Sequence, residues 1–248
     1  MTSNIVLITG GSRGIGAATA RLAAARGYSV CLSYLNNRTA ADDVVREIQS
    51  AGGKAWAIQA DVSDETSVVQ LFEAVDGCGQ LAALVNNAGI LERQMRVDEM
   101  DAARLQRVLA ANVIGSFSCA REAVRRMSTR HGGSGGAIVN LSSMAARLGA
   151  PGEYVDYAAA KGAIDAFTIG LAKEVASEGI RVNAVRPGAI HTDIHASGGE
   201  PDRIERVKGS VPLQRGGQPE EVAEAILWLL SDAASYTTGA LLDVSGGR

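Results

Sequence analysis

The sequence predicts an α/β fold: a single doubly wound, parallel sheet of seven strands flanked by helices on both faces. Short apolar runs alternate with longer segments whose apolar residues recur at helical spacing. The short runs lack the period-2 alternation of a strand with one wet face, so they read as strands buried on both sides under helices. No Pro-rich, Ser-rich or charged linker divides the 248 residues, a length that one core still supports. One domain, 1–248, is expected, with a ligand crevice at the carboxyl ends of the strands where strand order reverses.

In chain order, strands are read at 5–8, 28–32, 55–58, 81–85, 137–141, 181–185 and 240–244. A good helix former follows the first strand at 17–22, and a second helix begins near Asp64 and Glu65. The Gly-rich stretch 131–136 reads as a flexible surface connector. Residues 193–217, with Gly198-Gly199, Pro201 and Pro212 around a short helix at 202–206, read as a mobile lid over a substrate or as a plain surface excursion. The apolar positions Val222, Ala225, Ile226, Leu229 and Leu230 form one helix face, buried in the chain's own core or against a partner subunit.

Composition narrows the possible partners. Apolar residues make up 46% and charged residues 21%, with a net charge of -3. That balance suits an ordinary globular chain and gives no electrostatic footprint for nucleic acid or anionic lipid. The N-terminus, Met1-Thr2-Ser3-Asn4, lacks a basic n-region, and no apolar run approaches the roughly 20 residues that span a bilayer. A cytoplasmic protein with no membrane partner is expected. Cys31, Cys78 and Cys119 stand singly, as reduced small hydrophobes. His191 and His195 are four apart but lack a third ligand nearby, so no metal is expected.

After the first strand comes Thr9-Gly10-Gly11-Ser12-Arg13-Gly14-Ile15-Gly16 and then a helix. Gly10 permits the sharp turn, Gly14 lets backbone approach a pyrophosphate, and Gly16 lets helix and strand pack closely. The helix amides, at the positive dipole end, then face phosphates. This pattern predicts a dinucleotide site. The second strand ends in Leu32-Ser33-Tyr34-Leu35-Asn36-Asn37-Arg38, without the carboxylate that accepts ribose hydroxyls and repels a 2′-phosphate. With Arg13, the donors Ser33, Tyr34, Asn36, Asn37 and Arg38 favour NADP over NAD. Asp61 and Val62 end the third strand, where an adenine can rest; Asp61 or Ser63 equally serves as a helix cap. The fourth strand ends in Asn86-Asn87-Ala88-Gly89, whose amides can tie neighbouring strands.

Tyr157 and Lys161 are four residues apart on a long helical segment, so both project from one face. A nearby ammonium stabilises phenolate and makes a phenol a usable acid/base. Ser143 stands at the end of the fifth strand, fourteen residues before Tyr157, and Asn112 lies in a helical stretch beyond Gly89. With the glycine turn, these residues resemble the short-chain dehydrogenase/reductase family over nearly the whole chain.

That resemblance implies a Rossmann fold and a tetrad: Tyr157 as general acid/base, Ser143 bonded to the reacting oxygen, Lys161 lowering the phenol and gripping the nicotinamide ribose, and Asn112 holding a relay water. It places Pro187 and Gly188 after the sixth strand and sets Ile190 and Thr192 against the nicotinamide carboxamide. Many members have the serine thirteen residues before the tyrosine, which keeps Ser142 as a fallback. The run Pro151-Gly152-Glu153-Tyr154-Val155-Asp156 resembles glucose or sugar-alcohol dehydrogenase-like members, with Glu153 and Tyr154 bonding a polyol or serving as loop polarity. The implied activity is NADP-dependent hydride transfer to or from a carbonyl or alcohol carbon, in a homotetramer. Sugar, short-chain ketone, acyl thioester and steroid substrates stay open. A non-catalytic dinucleotide sensor is the alternative; a methyltransferase would leave Tyr157 and Lys161 without a task.

Overall fold

The computed structural model describes residues 4–248, so residues 1–3, on which the reading of the N-terminus rests, lie outside it. The chain alternates strand and helix: β1 (Asn4–Ile8), α1 (Gly14–Ala25), β2 (Ser29–Tyr34), α2 (Arg38–Ser50), β3 (Ala55–Gln59), α3 (Glu65–Asp76) and β4 (Gln80–Asn86). It continues with α4 (Ala102–Leu109), α5 (Gly115–Met127), β5 (Gly136–Leu141), α6 (Ala145–Leu148), α7 (Val155–Val175) and β6 (Ile180–Pro187). The last elements are α8 (Ile194–Ser197), α9 (Arg203–Val207), α10 (Pro219–Leu230) and β7 (Leu241–Val244). The strands form one sheet in the order β3-β2-β1-β4-β5-β6-β7, every pair parallel. All seven expected strands form, with ends shifted by one or two residues. Strand order reverses between β1 and β4, which opens the crevice there.

Pleat alternation divides β1 between two cores. Val6 and Ile8 join apolar residues of α1, α2 and α10, while Ile5 and Leu7 join those of α3, α5 and α7. Val222, Ile226, Leu229 and Leu230 are buried in the first of these, so the apolar face of α10 serves the chain's own core. Side chains cap the starts of several helices. Asn37 accepts from the Ala40 amide at 3.0 Å, Asp64 from Thr66 and Ser67, and Asp101 from Arg104 at 2.7 Å, each satisfying a donor that the first helical turn leaves unpaired.

Two features depart from the sequence reading. Between α4 and α5, residues Ala110–Ile114 form a π-helical turn around the buried Asn112. The stretch 131–136 is a connector, but a tied one: the Gly133 amide donates to Ser128 O and that of Gly135 to Met127 O. At Gly135, φ is +81° and an added Cβ would lie 2.6 Å from Gly179 O, so glycine there permits close backbone approach, a role different from flexibility.

Candidate active site

The nucleotide half of the crevice is built by the turn from β1 into α1. Gly10 and Gly14 adopt φ of +64° and +54°, which other residues reach only with strain. A Cβ on Gly16 would stand 2.6 Å from Asn87 Nδ2. The Asn87 amide donates to Thr9 O and Gly10 O, each at 2.9 Å, while Thr9 Oγ1 accepts from the Asn87 and Ala88 amides at 3.0 Å. β4 is thereby stitched to the turn across the switch point. Helix α1 starts with no side-chain cap and no acidic residue in its first turn. Its leading amides therefore meet no anion of the protein's own, and the cradle fits a dinucleotide pyrophosphate.

Around this turn, residues singled out from sequence take different positions. Ser33 is buried, and its hydroxyl accepts from the Gly10 amide at 3.2 Å, so it braces the turn. Tyr34 is buried and belongs to the core on the α1 side. Asn36 and Arg13 are exposed, whereas Arg38 is exposed and paired with Asp42 at 3.4 Å; Asn37 is spent as the α2 cap. Asp61 accepts from the Ser63 amide and hydroxyl at 2.9 and 2.6 Å, and the cap of α3 is Asp64, not either of the two expected residues. Val62 packs against Gly115, where a Cβ would come within 2.7 Å of Val62 O.

The chemical half is a cavity of about 520 Å³ at the carboxyl ends of β4, β5 and β6. Asn112, Ser143, Tyr157 and Lys161 all face it, together with Ile15, Asn87, Gly89, Pro187, Gly188, Ile190 and Thr192. Gly10, Ser12, Arg13, Gly14, Gly16 and Ala88 of the turn and the β4 end, and Tyr34, Asn36, Arg38, Asp61 and Val62 at the β2 and β3 ends, are not among its walls. Both serines line the cavity, but the buried Ser142 donates its hydroxyl to Lys161 O at 3.2 Å, whereas the Ser143 hydroxyl lies by the Tyr157 phenol. The longer segment before Tyr157 is absorbed by α6 and the bend after it, with Ala150 at φ of +44°. A buried amide relay holds the strands beneath. Asn86 donates to Asn140 Oδ1 at 2.9 Å, and Asn140 donates to Thr168 Oγ1 at 2.9 Å.

Lys161 is buried, its Nζ donating to Leu141 O at 2.6 Å and lying 5.4 Å from the centre of the Tyr157 ring. Burial pushes the Tyr157 phenol up to about 12, with the Ser143 hydroxyl acting to lower it. Burial likewise brings Lys161 down to about 8, against the raising effect of Asp165. Within the chain itself, burial raises the phenol, opposite to the lowering expected from the ammonium. The phenol is consequently protonated at neutral pH, the form that delivers a proton to a carbonyl oxygen. The Asn112 side chain donates to Ile90 O and Val108 O at 3.0 and 2.9 Å and accepts from the Ile90 amide at 3.2 Å. Both its N–H groups are thus spent in pinning the π-turn to the chain after β4. A Cβ on Gly89 would lie 2.5 Å from Asn112 Oδ1 and 3.7 Å from Lys161 Nζ, so glycine is required between them.

The outer wall is the segment 193–217, with α8 and α9 in place of the single helix read from sequence. Glu153 pairs with Arg203 at 2.6 Å and with Arg206 at 2.8 Å, and both arginines also pair with Glu200. The guanidinium of Arg203 lies 5.1 Å from the centre of the Tyr154 ring, and the buried Tyr154 donates to Gly198 O at 3.4 Å. Glu153 and Tyr154 line the cavity, but their polar groups are engaged by the segment 193–217. His195 Nε2 lies 3.0 Å from Ile190 O, and no cluster of three or more His, Cys, Asp or Glu suited to a metal occurs among the described residues.

Comparison with known proteins agrees with this geometry. The family described as Enoyl-(Acyl carrier protein) reductase matches residues 10–248. This chain is a member of the short-chain dehydrogenase/reductase family. The short-chain dehydrogenase/reductase is 62% identical over 245 residues to "Uncharacterized oxidoreductase YgfF" of Escherichia coli, covering 98% of this chain and 99% of that protein. It is 42% identical over 249 residues to "3-oxoacyl-[acyl-carrier-protein] reductase" of Synechocystis sp., covering 100% and 97%. A short-chain dehydrogenase from Burkholderia cenocepacia, solved in complex with NADP, superposes with a TM-score of 0.90 at 32% identity over 98% of this chain and 97% of that one. Oxidoreductase chemistry, a Rossmann fold and nucleotide binding follow for this chain.

Proposed function

We propose that this oxidoreductase is NADP-dependent and moves a hydride between nicotinamide and a carbonyl or alcohol carbon, with Tyr157, Ser143, Lys161 and Asn112 as its working residues. The observation that carries the proposal is the convergence of Ser143, Tyr157 and Lys161 on one cavity that adjoins the glycine cradle. Bound along that cradle, a nicotinamide would supply or accept the hydride. Tyr157 delivers a proton to the substrate oxygen in reduction and removes it in oxidation, which avoids a free alkoxide. Ser143 hydrogen-bonds the same oxygen. Lys161 holds positive charge beside the phenol and would grip the nucleotide ribose, and Asn112 keeps the π-turn and Gly89 at the right distance from it. Any share of Asn112 in a proton relay falls to its oxygen atoms, since its N–H groups are taken.

The preference for NADP rests on a β2 end without carboxylates and on the exposed Arg13 and Arg38; the Burkholderia cenocepacia relative was solved with NADP. Gly10, Ser12, Gly14, Ile15 and Gly16 would face the phosphates, Asp61 and Val62 the adenine, and Asn87, Ala88, Gly89, Pro187, Gly188, Ile190 and Thr192 the nicotinamide end. Beyond these residues the cavity is walled by the apolar Leu91, Met144, Leu148, Pro151, Ile194 and Val207 and by the polar Glu153, Tyr154, His195 and Arg203. Because Glu153, Arg203 and Tyr154 are already engaged with protein groups, an apolar ketone or secondary alcohol fits these walls better than a sugar, whose hydroxyls would compete for those partners. A non-catalytic sensor would have no use for the tyrosine, serine and lysine gathered there. We also place the enzyme in the cytoplasm, consistent with three free cysteines, and note that no described helix is long and apolar enough to cross a membrane.

The test is a panel of apolar ketones, sugars and acyl thioesters, followed by nicotinamide absorbance with NADPH and with NADH. The expected result is turnover of apolar ketones with a Michaelis constant at least tenfold lower for NADPH. A clear preference for NADH would refute the cofactor assignment, and turnover confined to sugars would refute the substrate assignment.

A further inference from the structure

We propose that the buried ion pair of Arg104 and Asp156 is the positioning device that fixes Tyr157 in the active site, an inference that rests on the proposed role of Tyr157 as proton donor. Arg104 stands in the first turn of α4 and Asp156 in the first turn of α7, immediately before Tyr157. They are 52 positions apart in sequence, and their Nε and Oδ2 atoms meet at 2.7 Å. Both are nearly sealed from solvent, with 3% and 7% exposure.

The pair has a hold on three pieces of backbone that frame the reacting side chain. Asp156 Oδ1 accepts from the Tyr157 amide at 2.9 Å. Helix α7 has no side-chain cap at Tyr154, so this carboxylate meets one of the amides that the helix leaves unpaired and sits at its positive end. Arg104 Nη1 donates to Arg93 O at 2.7 Å, within the segment between β4 and α4 that lends Leu91 to the cavity. The same segment is held to the approach of α7 by the Met95 amide, which donates to Glu153 O at 3.0 Å. Helix α4 then runs into the π-turn that carries Asn112. One guanidinium thus links the helix leading to Asn112, the chain bordering the substrate and the turn that bears the proton donor.

A buried ion pair contributes little net stability compared with apolar groups of the same shape, because both charges must be desolvated. Its distinctive property is directionality. A guanidinium in contact with a carboxylate and a carbonyl fixes both angle and register between α4 and α7, where apolar packing would tolerate sliding. The arrangement also carries a cost, since Arg104 Nη2 is buried without a partner. Other charged groups around the pair are Glu92, 4.0 Å from Arg104 Nη1, Asp101, bonded to the Arg104 amide, Lys161 one turn along α7, and Glu153 with Arg203 at the lid.

The experiment compares Asp156→Asn, Arg104→Met, Arg104→Lys and the double variant Arg104→Met/Asp156→Leu with the wild-type enzyme, on a ketone that it reduces. Asp156→Asn keeps the shape and the bond to the Tyr157 amide but leaves the guanidinium uncompensated. We expect kcat to fall at least tenfold in both single removals, with the NADPH dissociation constant within twofold. In the oxidation direction, the rise of kcat/KM with pH moves to lower pH in Asp156→Asn, because a lone guanidinium favours phenolate; Arg104→Lys recovers part of kcat. If a single variant does not fold, the double variant, which leaves no lone buried charge, decides: folded with a tenfold lower kcat it supports the proposal, and folded with wild-type kcat it overturns it. Folded single variants with kcat within twofold of wild type and an unmoved pH profile overturn it as well. Tyr157→Phe is measured alongside. Turnover surviving in that variant refutes the assignment of the tyrosine itself, whereas loss there beside wild-type kcat in the pair variants refutes only the positioning role.

Discussion

Lys161 and Tyr157 are both perturbed by burial, in directions that leave a protonated phenol beside an ammonium that gives up its proton near pH 8. The ammonium is present below that pH and lost above it, so kcat/KM for carbonyl reduction should be level in the neutral range and fall through about pH 8. In Lys161→Met that falling limb should be absent from a pH profile of the residual activity. The same shift affects folding. The buried amine titrates near 8 and an unperturbed one at 10.5, so between these values the unfolded chain holds the extra proton and the stability contributed by this group rises with pH. A second residue-level prediction concerns Gly16, where an added Cβ meets Asn87 Nδ2 at 2.6 Å. Gly16→Ala should cost about 1–3 kcal/mol by overpacking and weaken NADPH binding, as measured by denaturant unfolding and fluorescence titration. Intact affinity and stability would show that the turn relaxes freely.

At the scale of elements, the segment 193–217 is held by charge where sequence suggested loop polarity. Glu153 bridges to Arg203 and Arg206, and Glu200 joins them. The pairs are partly exposed, each worth about 0–1 kcal/mol, so Glu153→Gln should shift the melting temperature little. It should instead speed proteolytic cleavage within 193–210 and make the Michaelis constant less sensitive to salt; unchanged cleavage would exclude the latch. Strands and the glycine turn were legible in sequence because their signals are local: apolar runs of strand length, and glycines where φ must be positive. The Tyr157 and Lys161 pairing was legible because helical spacing alone brings them together. Other contacts had no such local mark. Arg104 and Asp156 meet only through tertiary packing, Ser33 reads as a phosphate donor although its hydroxyl accepts from the Gly10 amide, and Tyr34 reads as a strand-end donor although it faces the core. The π-turn at Asn112 had no sequence signature, whereas the polar Asn140 inside an apolar strand was a signal for the buried amide relay.

On the scale of the whole molecule, the strand order brings the carboxyl ends of β1, β4, β5 and β6 to one edge, so the cradle and the cavity form one continuous crevice. The remaining surface carries exposed apolar groups on α5 and the π-turn, with Ile114 at 57% and Phe117 at 47% exposure, and Phe117 stacked on Phe167 of α7. Single exposed apolar residues are ordinary, but a contiguous group favours association. We expect light scattering to give a homotetramer and Phe117→Asp to lower the mass; a monomer at micromolar concentration would reject this. The fold itself was legible at this scale because alternating short and long apolar periods describe a parallel sheet layered between helices. Substrate identity was not, since the walls that select it come from segments distant in sequence. The central claim is that the Tyr157 hydroxyl passes the proton that accompanies hydride transfer from bound NADPH. Its most direct test is the turnover rate of Tyr157→Phe on a reducible ketone, with NADPH affinity measured on the same preparation. The account predicts unchanged affinity with turnover reduced by about 10²–10⁴-fold; a variant that binds NADPH and consumes it at the wild-type rate would contradict it.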